Sequence, residues 1–231
     1  MTIDGDRERA LREGVLATAR AMNAFGINRG KSGNVSARFT TSSFDGYLIT
    51  ATGMPYAQML PEDVVAMAID SDDTTASGAR APSSEWRFHR DIYRARANVT
   101  AVVHAHSPFA TALACVGRDI PAFHYMVAIA GGHRIPCARY ATFGSQALSD
   151  AVLEALQGCT ACLLANHGMI ATGETLDAAL ALAVDVETLA EMYWRALQIG
   201  EPVLLSDDEM ALNVTKFRSY GRPERPNRAE N

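Results

Sequence analysis

Thr100-Ala101-Val102-Val103-His104-Ala105-His106 is a short apolar run that ends in two histidines. Its length and β-branched residues predict a strand. Side chains alternate across a strand, so His104 and His106 fall on one face. Two imidazoles spaced this way on a rigid backbone can hold one divalent ion, although such pairs also occur as ordinary core or surface residues. A third ligand must come from a distant part of the chain. His167 stands where another predicted strand, Thr160 to Asn166, stops at His167-Gly168. Three imidazoles with an open fourth position suit catalytic zinc, and the same donor set accepts manganese or cobalt. Glu85, after Ser83-Ser84 at a predicted helix start, is a fourth candidate, and a carboxylate is favoured there by the helix dipole in any case. His89, His124 and His133 are read as packing residues or surface hydrogen-bonding groups.

Outward from this strand, helices and strands alternate. A helix is expected from about Ser84 to Arg96, an amphipathic helix over Ser145–Leu156 and a long one over Leu176–Leu197. Tyr47–Ala51 and Val64–Ile69 are predicted strands. Arg9–Phe25 has apolar residues at helical spacing and stops at Gly26, a C-cap residue. A last helix is expected over Asp207–Tyr220. The pattern is α/β; it does not set the order of strands. Residues 1–221 are read as one domain and 222–231 as a mobile polar tail.

The chain has 231 residues, 48% of them hydrophobic and 20% charged, with a net charge of −5. That composition describes a folded globular domain and argues against a broad basic face for nucleic acid. No apolar run approaches the roughly 20 residues of a membrane span. Met1 to Arg12 lacks an apolar signal core, so a cytoplasmic protein is expected. Cys159 and Cys162 form an isolated C-x-x-C. Without a second pair to complete a zinc site, all four cysteines are read as reduced structural thiols.

Several segments occur together in order. They are Ser32-Gly33-Asn34-Val35-Ser36, Ile49-Thr50-Ala51-Thr52-Gly53, Pro82-Ser83-Ser84-Glu85-Trp86-Arg87-Phe88-His89, Val102-Val103-His104-Ala105-His106 and Ala165-Asn166-His167-Gly168. Between and after them stand Ile120-Pro121-Ala122-Phe123-His124-Tyr125-Met126, Tyr140-Ala141-Thr142-Phe143-Gly144 and Lys216-Phe217-Arg218-Ser219-Tyr220-Gly221. From about Leu11 to Gly221 the chain resembles the class II aldolase/adducin family.

The resemblance implies a three-layer αβα fold around a mostly antiparallel sheet, assembled as a homotetramer with sites at subunit interfaces. It implies one zinc per subunit on His104, His106, His167 and Glu85, with Glu85 doubling as acid/base. It carries the substrate phosphate to Gly33, Asn34, Thr52, Gly53, Ser83 and Ser84, an uncharged cradle of hydroxyls and backbone N–H groups. Tyr125 corresponds to a tyrosine that reaches a neighbouring subunit's site and handles the proton at the aldehyde oxygen. Tyr220 corresponds to one near the C-terminus, and Phe143 to an aromatic at the aldehyde end. Departures lie at Ala105, Asn166 and Arg222-Pro223, which bear on the aldehyde side and leave the metal ligands intact.

The implied reaction is retro-aldol cleavage of a ketose 1-phosphate to dihydroxyacetone phosphate and an aldehyde. L-fuculose 1-phosphate is the first expectation and a 5-deoxypentulose phosphate the second. Same-fold relatives that epimerise, dehydrate or decarboxylate are the alternatives; adducin-like heads without catalysis lack the full histidine set. Lys31 and Lys216, the only lysines, have no apolar surroundings in sequence that mark a Schiff-base residue.

Overall fold

The computed structural model describes residues 3–70 and 80–219. The described helices are α1 (Ile3–Ala24), α2 (Trp86–Ala95), α3 (Pro108–Cys115), α4 (Gln146–Ala155), α5 (Leu176–Ile199) and α6 (Asp207–Ser219). The strands are β1 (Asn34–Thr40), β2 (Asp45–Ile49), β3 (Val65–Ala68), β4 (Ala101–Ala105), β5 (Cys137–Ala138), β6 (Ala161–Leu164) and β7 (Gly168–Gly173).

The strands form one seven-stranded sheet in the order β3-β2-β1-β4-β7-β6-β5. It is a mixed sheet. Neighbours pair antiparallel except β5 and β6, whose short pairing is parallel. The expected C-terminal tail and Tyr220 lie outside the described residues.

Helices cover both faces. α1, α3 and α5 pack together on one side, against β1, β4 and β7. α2 and α4 pack on each other on the opposite side, where Tyr47 of β2 donates to the Trp86 carbonyl of α2 at 3.1 Å. β4 and β7 are central and buried along their length. Strands covered on both faces read as continuous apolar runs rather than as alternations.

The edges of the elements follow local chemistry. Ser145 and Thr175 cap α4 and α5 through their side chains, which satisfies N–H groups that a helix start leaves unpaired. α3 is capped from a distance: the Glu187 carboxylate of α5 accepts from the Phe109 and Ala110 N–H groups, each at 2.8 Å. That contact ties down the chain just after His106. All four cysteines are free thiols, with Cys159 and Cys162 buried. No described helix is long and apolar enough to cross a membrane.

Candidate metal centre

β4 supplies His104 from its interior, and His106 follows the strand's last residue. Paired residues of an antiparallel sheet share a face, so the register places His104 directly opposite Asn34 of β1. β6 and β7 form a hairpin in which Leu164 pairs with Gly168. His167 sits in that turn, after Asn166 in the left-handed region at φ 55°. Asparagine tolerates this conformation better than most residues. β7 neighbours β4, so the turn delivers His167 to the two strand histidines.

The three rings are mutually close to perpendicular, with interplanar angles of 72°, 77° and 82° and centroids 4.9 Å apart in every pair. Glu85, the residue before α2, completes the group. Its Oε2 is 3.1 Å from His104 Nε2 and its Oε1 is 3.2 Å from His167 Nε2. One ligand atom from each of Glu85, His104, His106 and His167 lies within 4.8 Å of the others. The sequence-predicted ligands are thus brought together as one cluster.

The donor chemistry fits a divalent ion. His104 Nδ1 donates to the Met169 carbonyl at 2.9 Å, which leaves a lone pair on Nε2 facing the cluster, a common way of orienting a metal-binding histidine. Glu85 Oε1 is buried and has no hydrogen-bond partner of acceptable geometry despite the nearby imidazole. An orphaned carboxylate oxygen in a buried site calls for a cation.

Electrostatics agree. Burial raises the Glu85 carboxyl, but His104 and His167 outweigh it and hold the group well below the ordinary carboxylate range. Burial, with His104 and His167 adding to it, pushes His106 down to about 4, so its ring is neutral at pH 7 and able to ligate.

Beside the cluster is a cavity of about 270 Å³ lined by Ser32, Ser84, Glu85, His106, Tyr140, Ala141, Phe143, Asn166 and His167. Phe143, which the resemblance assigns to the aldehyde end, is one of its walls and is exposed to solvent. Two further loops flank the site. Thr52 N–H donates to the Ala81 carbonyl and Ser83 N–H to the Thr50 carbonyl, both at 3.0 Å. This stitching sets Thr52 and Gly53 beside Ser83 and Ser84. Gly53 has φ +68°, which a side chain would strain. A Cβ on Gly33 would lie 2.5 Å from the His104 carbonyl oxygen, so only glycine lets the chain entering β1 approach the metal strand.

Three further residues named from sequence have defined surroundings. Asn34, carried over to the phosphate cradle, is 2% exposed, and its Nδ2 donates to Glu85 Oε2 at 2.9 Å. Its side chain is thus committed to the carboxylate. His89, read as a packing or surface hydrogen-bonding residue, is fully buried and bonded through both ring nitrogens. Tyr125 opens a 3₁₀ turn over Tyr125–Ala130. It is half exposed, stacks on Phe217 at 6.3 Å and does not line the cavity at its own subunit's metal cluster.

Sequence reasoning also passed over a cation: Lys31 Nζ donates to the Gly53 carbonyl at 2.8 Å. Its place one residue before Ser32-Gly33-Asn34 was the available signal.

The class II aldolase and adducin N-terminal domain model matches residues 13–194. The chain belongs to that family. It is 55% identical to a 5-methylthioribulose-1-phosphate/5-deoxyribulose-1-phosphate aldolase of Rhodospirillum rubrum, over 92% of this chain and 93% of that protein. An L-fuculose phosphate aldolase of Escherichia coli is 46% identical, over 90% and 94% of the two chains. A solved L-fuculose 1-phosphate aldolase superposes with a TM-score of 0.84 at 34% identity, over 90% and 96% of the two chains. The chain is an enzyme of this class, a metal-dependent aldehyde-lyase.

Proposed function

We propose that the chain cleaves the C3–C4 bond of 5-deoxyribulose 1-phosphate and 5-methylthioribulose 1-phosphate, releasing dihydroxyacetone phosphate and a short aldehyde. The second reading is L-fuculose 1-phosphate. This order reverses the one expected from sequence, because the relative acting on the 5-deoxy and 5-methylthio sugars is 55% identical and the fuculose enzyme 46%. The observation that carries the reaction class is the convergence of three imidazoles on a buried carboxylate whose Oε1 lacks a partner. The aromatic wall of Tyr140 and Phe143 on the adjoining cavity suits the apolar methyl or methylthio end of these sugars.

His104, His106, His167 and Glu85 would hold the ion, with zinc the first choice and manganese or cobalt compatible. A divalent ion supplies Lewis acidity toward the negative charge that develops on oxygen when the bond breaks. The remaining chemistry belongs to the chain. Thr52, Ser83 and Ser84 offer hydroxyls to the phosphate, and Gly33 and Gly53 offer close backbone; Lys31 adds a charge at the edge of this cradle. Glu85 returns a proton to C3 during cleavage and removes it in the condensation direction. Phe143 covers the aldehyde end. A phosphorylated sugar substrate also fits the cytoplasmic location expected from sequence.

The function is tested by supplying the zinc-loaded protein with each of the three sugar phosphates and following dihydroxyacetone phosphate through a coupled dehydrogenase. The expected result is turnover of all three, with the highest kcat/KM on the 5-deoxy and 5-methylthio sugars. A product of unchanged mass, with no dihydroxyacetone phosphate, would instead assign an epimerase.

Tyr125 completes the site in a homotetramer, handling the proton at the aldehyde oxygen of the neighbouring subunit's substrate. Its half exposure and its absence from the cavity wall of its own subunit support this. A ring repeats one heterologous contact, so every subunit both gives and receives the tyrosine. Inactive Tyr125→Phe mixed with inactive His104→Ala under subunit exchange is expected to regain activity above either parent. Confirmed exchange without recovery would mean that the tyrosine does not act across the interface.

A further inference from the structure

Behind Glu85 an unbroken line of buried polar side chains runs through the sheet face into α2. Asn34 Nδ2 donates to Glu85 Oε2 at 2.9 Å. Asn34 Oδ1 is 2.5 Å from His89 Nε2. His89 Nδ1 is 2.6 Å from Ser36 Oγ, which is 2.7 Å from the Tyr93 hydroxyl. Asn34, Ser36, His89 and Tyr93 are each no more than 2% exposed. Asn34 and Ser36 are alternate residues of β1 on one face, and His89 and Tyr93 are one helical turn apart on α2, so the two elements mesh at this line.

The donors can be assigned from one end. A carboxylate only accepts, so the Asn34 amide must turn its NH₂ toward Glu85 and its carbonyl toward His89. The carbonyl needs a donor, which makes His89 Nε2 the protonated nitrogen and Nδ1 an acceptor. Ser36 then donates its hydroxyl hydrogen to Nδ1 and accepts from Tyr93. Every donor points toward Glu85, and bonds aligned head to tail reinforce one another.

We propose that His89 is a positioning residue for the reaction: it locks the Asn34 amide so that Nδ2 fixes Glu85 Oε2 and holds the carboxylate oriented for the proton at C3. Without that lock the Asn34 amide is free to turn its oxygen toward the carboxylate, and Glu85 loses its fixed donor. The imidazole touches no substrate and acts only through Asn34. The proposal rests on the reading of Glu85 as the acid/base.

The test uses two polar replacements that differ in reach. In His89→Gln the amide nitrogen extends to about the position of Nε2 and can still donate to Asn34. In His89→Asn it stops near Nδ1 and reaches only Ser36. Each zinc-loaded protein is assayed for proton exchange at the dihydroxyacetone phosphate carbon, for metal content and for thermal unfolding. His89→Asn is expected to lose exchange by about 10- to 100-fold, the usual cost of removing a supporting contact behind a metal ligand, with KM and metal content little changed. His89→Gln is expected to recover most of that rate. Adding Asn34→Ala to His89→Asn should cost no more than Asn34→Ala alone, since both act on one contact.

Equal exchange rates in the Gln and Asn variants would overturn the proposal, and so would losses that add in the double variant. Loss of metal and of thermal stability in both would assign His89 to folding alone. Glu85→Gln, assayed separately, reports on the base itself, so a failure of that reading is not confused with a failure of this one.

Discussion

Glu85→Gln keeps the fold and most of the bound metal but loses proton exchange at the dihydroxyacetone phosphate carbon by about a hundred- to ten-thousand-fold, the span typical of a removed general base. The amide has nearly the volume of the carboxyl, so the packing around this 4% exposed side chain survives. Its oxygen can still accept from Asn34 Nδ2, as Oε2 does at 2.9 Å. The three imidazoles remain, and they carry most of the affinity for an ion. What disappears is a group able to take and return a proton. The measurement is incorporation of deuterium into dihydroxyacetone phosphate in heavy water, followed by NMR, alongside metal content. A wild-type exchange rate in the variant would remove Glu85 from the role of base.

The parts of this site that were legible from sequence are those whose geometry is local. His104 and His106 share a face because a strand has a period of two, and that rule needs no tertiary information. The turn at Asn166-His167-Gly168 is equally local, with asparagine suited to the left-handed step at φ 55°. Its arrival beside β4 required knowing that β7 lies next to β4, which no periodicity encodes. β1 carried a readable alternation in Val35, Ala37 and Phe39 but was hidden behind the glycine-bearing loop before it. β7 is short, apolar and bounded by glycines, so its pattern does not separate strand from loop. The parallel β5–β6 contact spans two residue pairs and leaves no signal of its own. Asn34 was legible as a site residue and not as a partner of Glu85. That role depends on α2 crossing β1, just as the bonds of His89 to Asn34 and Ser36 do.

His167→Ala and His104→Ala lose both the metal and the reaction. The physical reason is the separation of functions between these two histidines and the rest of the site. His104 is fully buried and oriented by the Met169 carbonyl; His167 comes from a turn and closes the cluster against Glu85 at 3.2 Å. Removing either leaves two imidazoles and a carboxylate, with a gap where a nitrogen lone pair stood. Several kcal/mol of stabilisation for the charge developing on oxygen go with the ion, so cleavage should fall about a thousandfold or more. Zinc content by elemental analysis should drop from near one per chain in the parent to a small fraction in each variant. Thermal unfolding gives a second readout. A ligand that binds only the folded chain raises stability by about 2.7 kcal/mol at a hundred times its dissociation constant. Zinc should therefore raise the melting temperature of the chelator-stripped parent and leave the variants almost unmoved. Chelation should abolish turnover in the parent, and added zinc, manganese or cobalt should restore it to different extents. Full metal content with full turnover in His167→Ala would place the ion elsewhere, because no arrangement of the remaining Glu85, His104 and His106 reproduces the donor set found in this cluster.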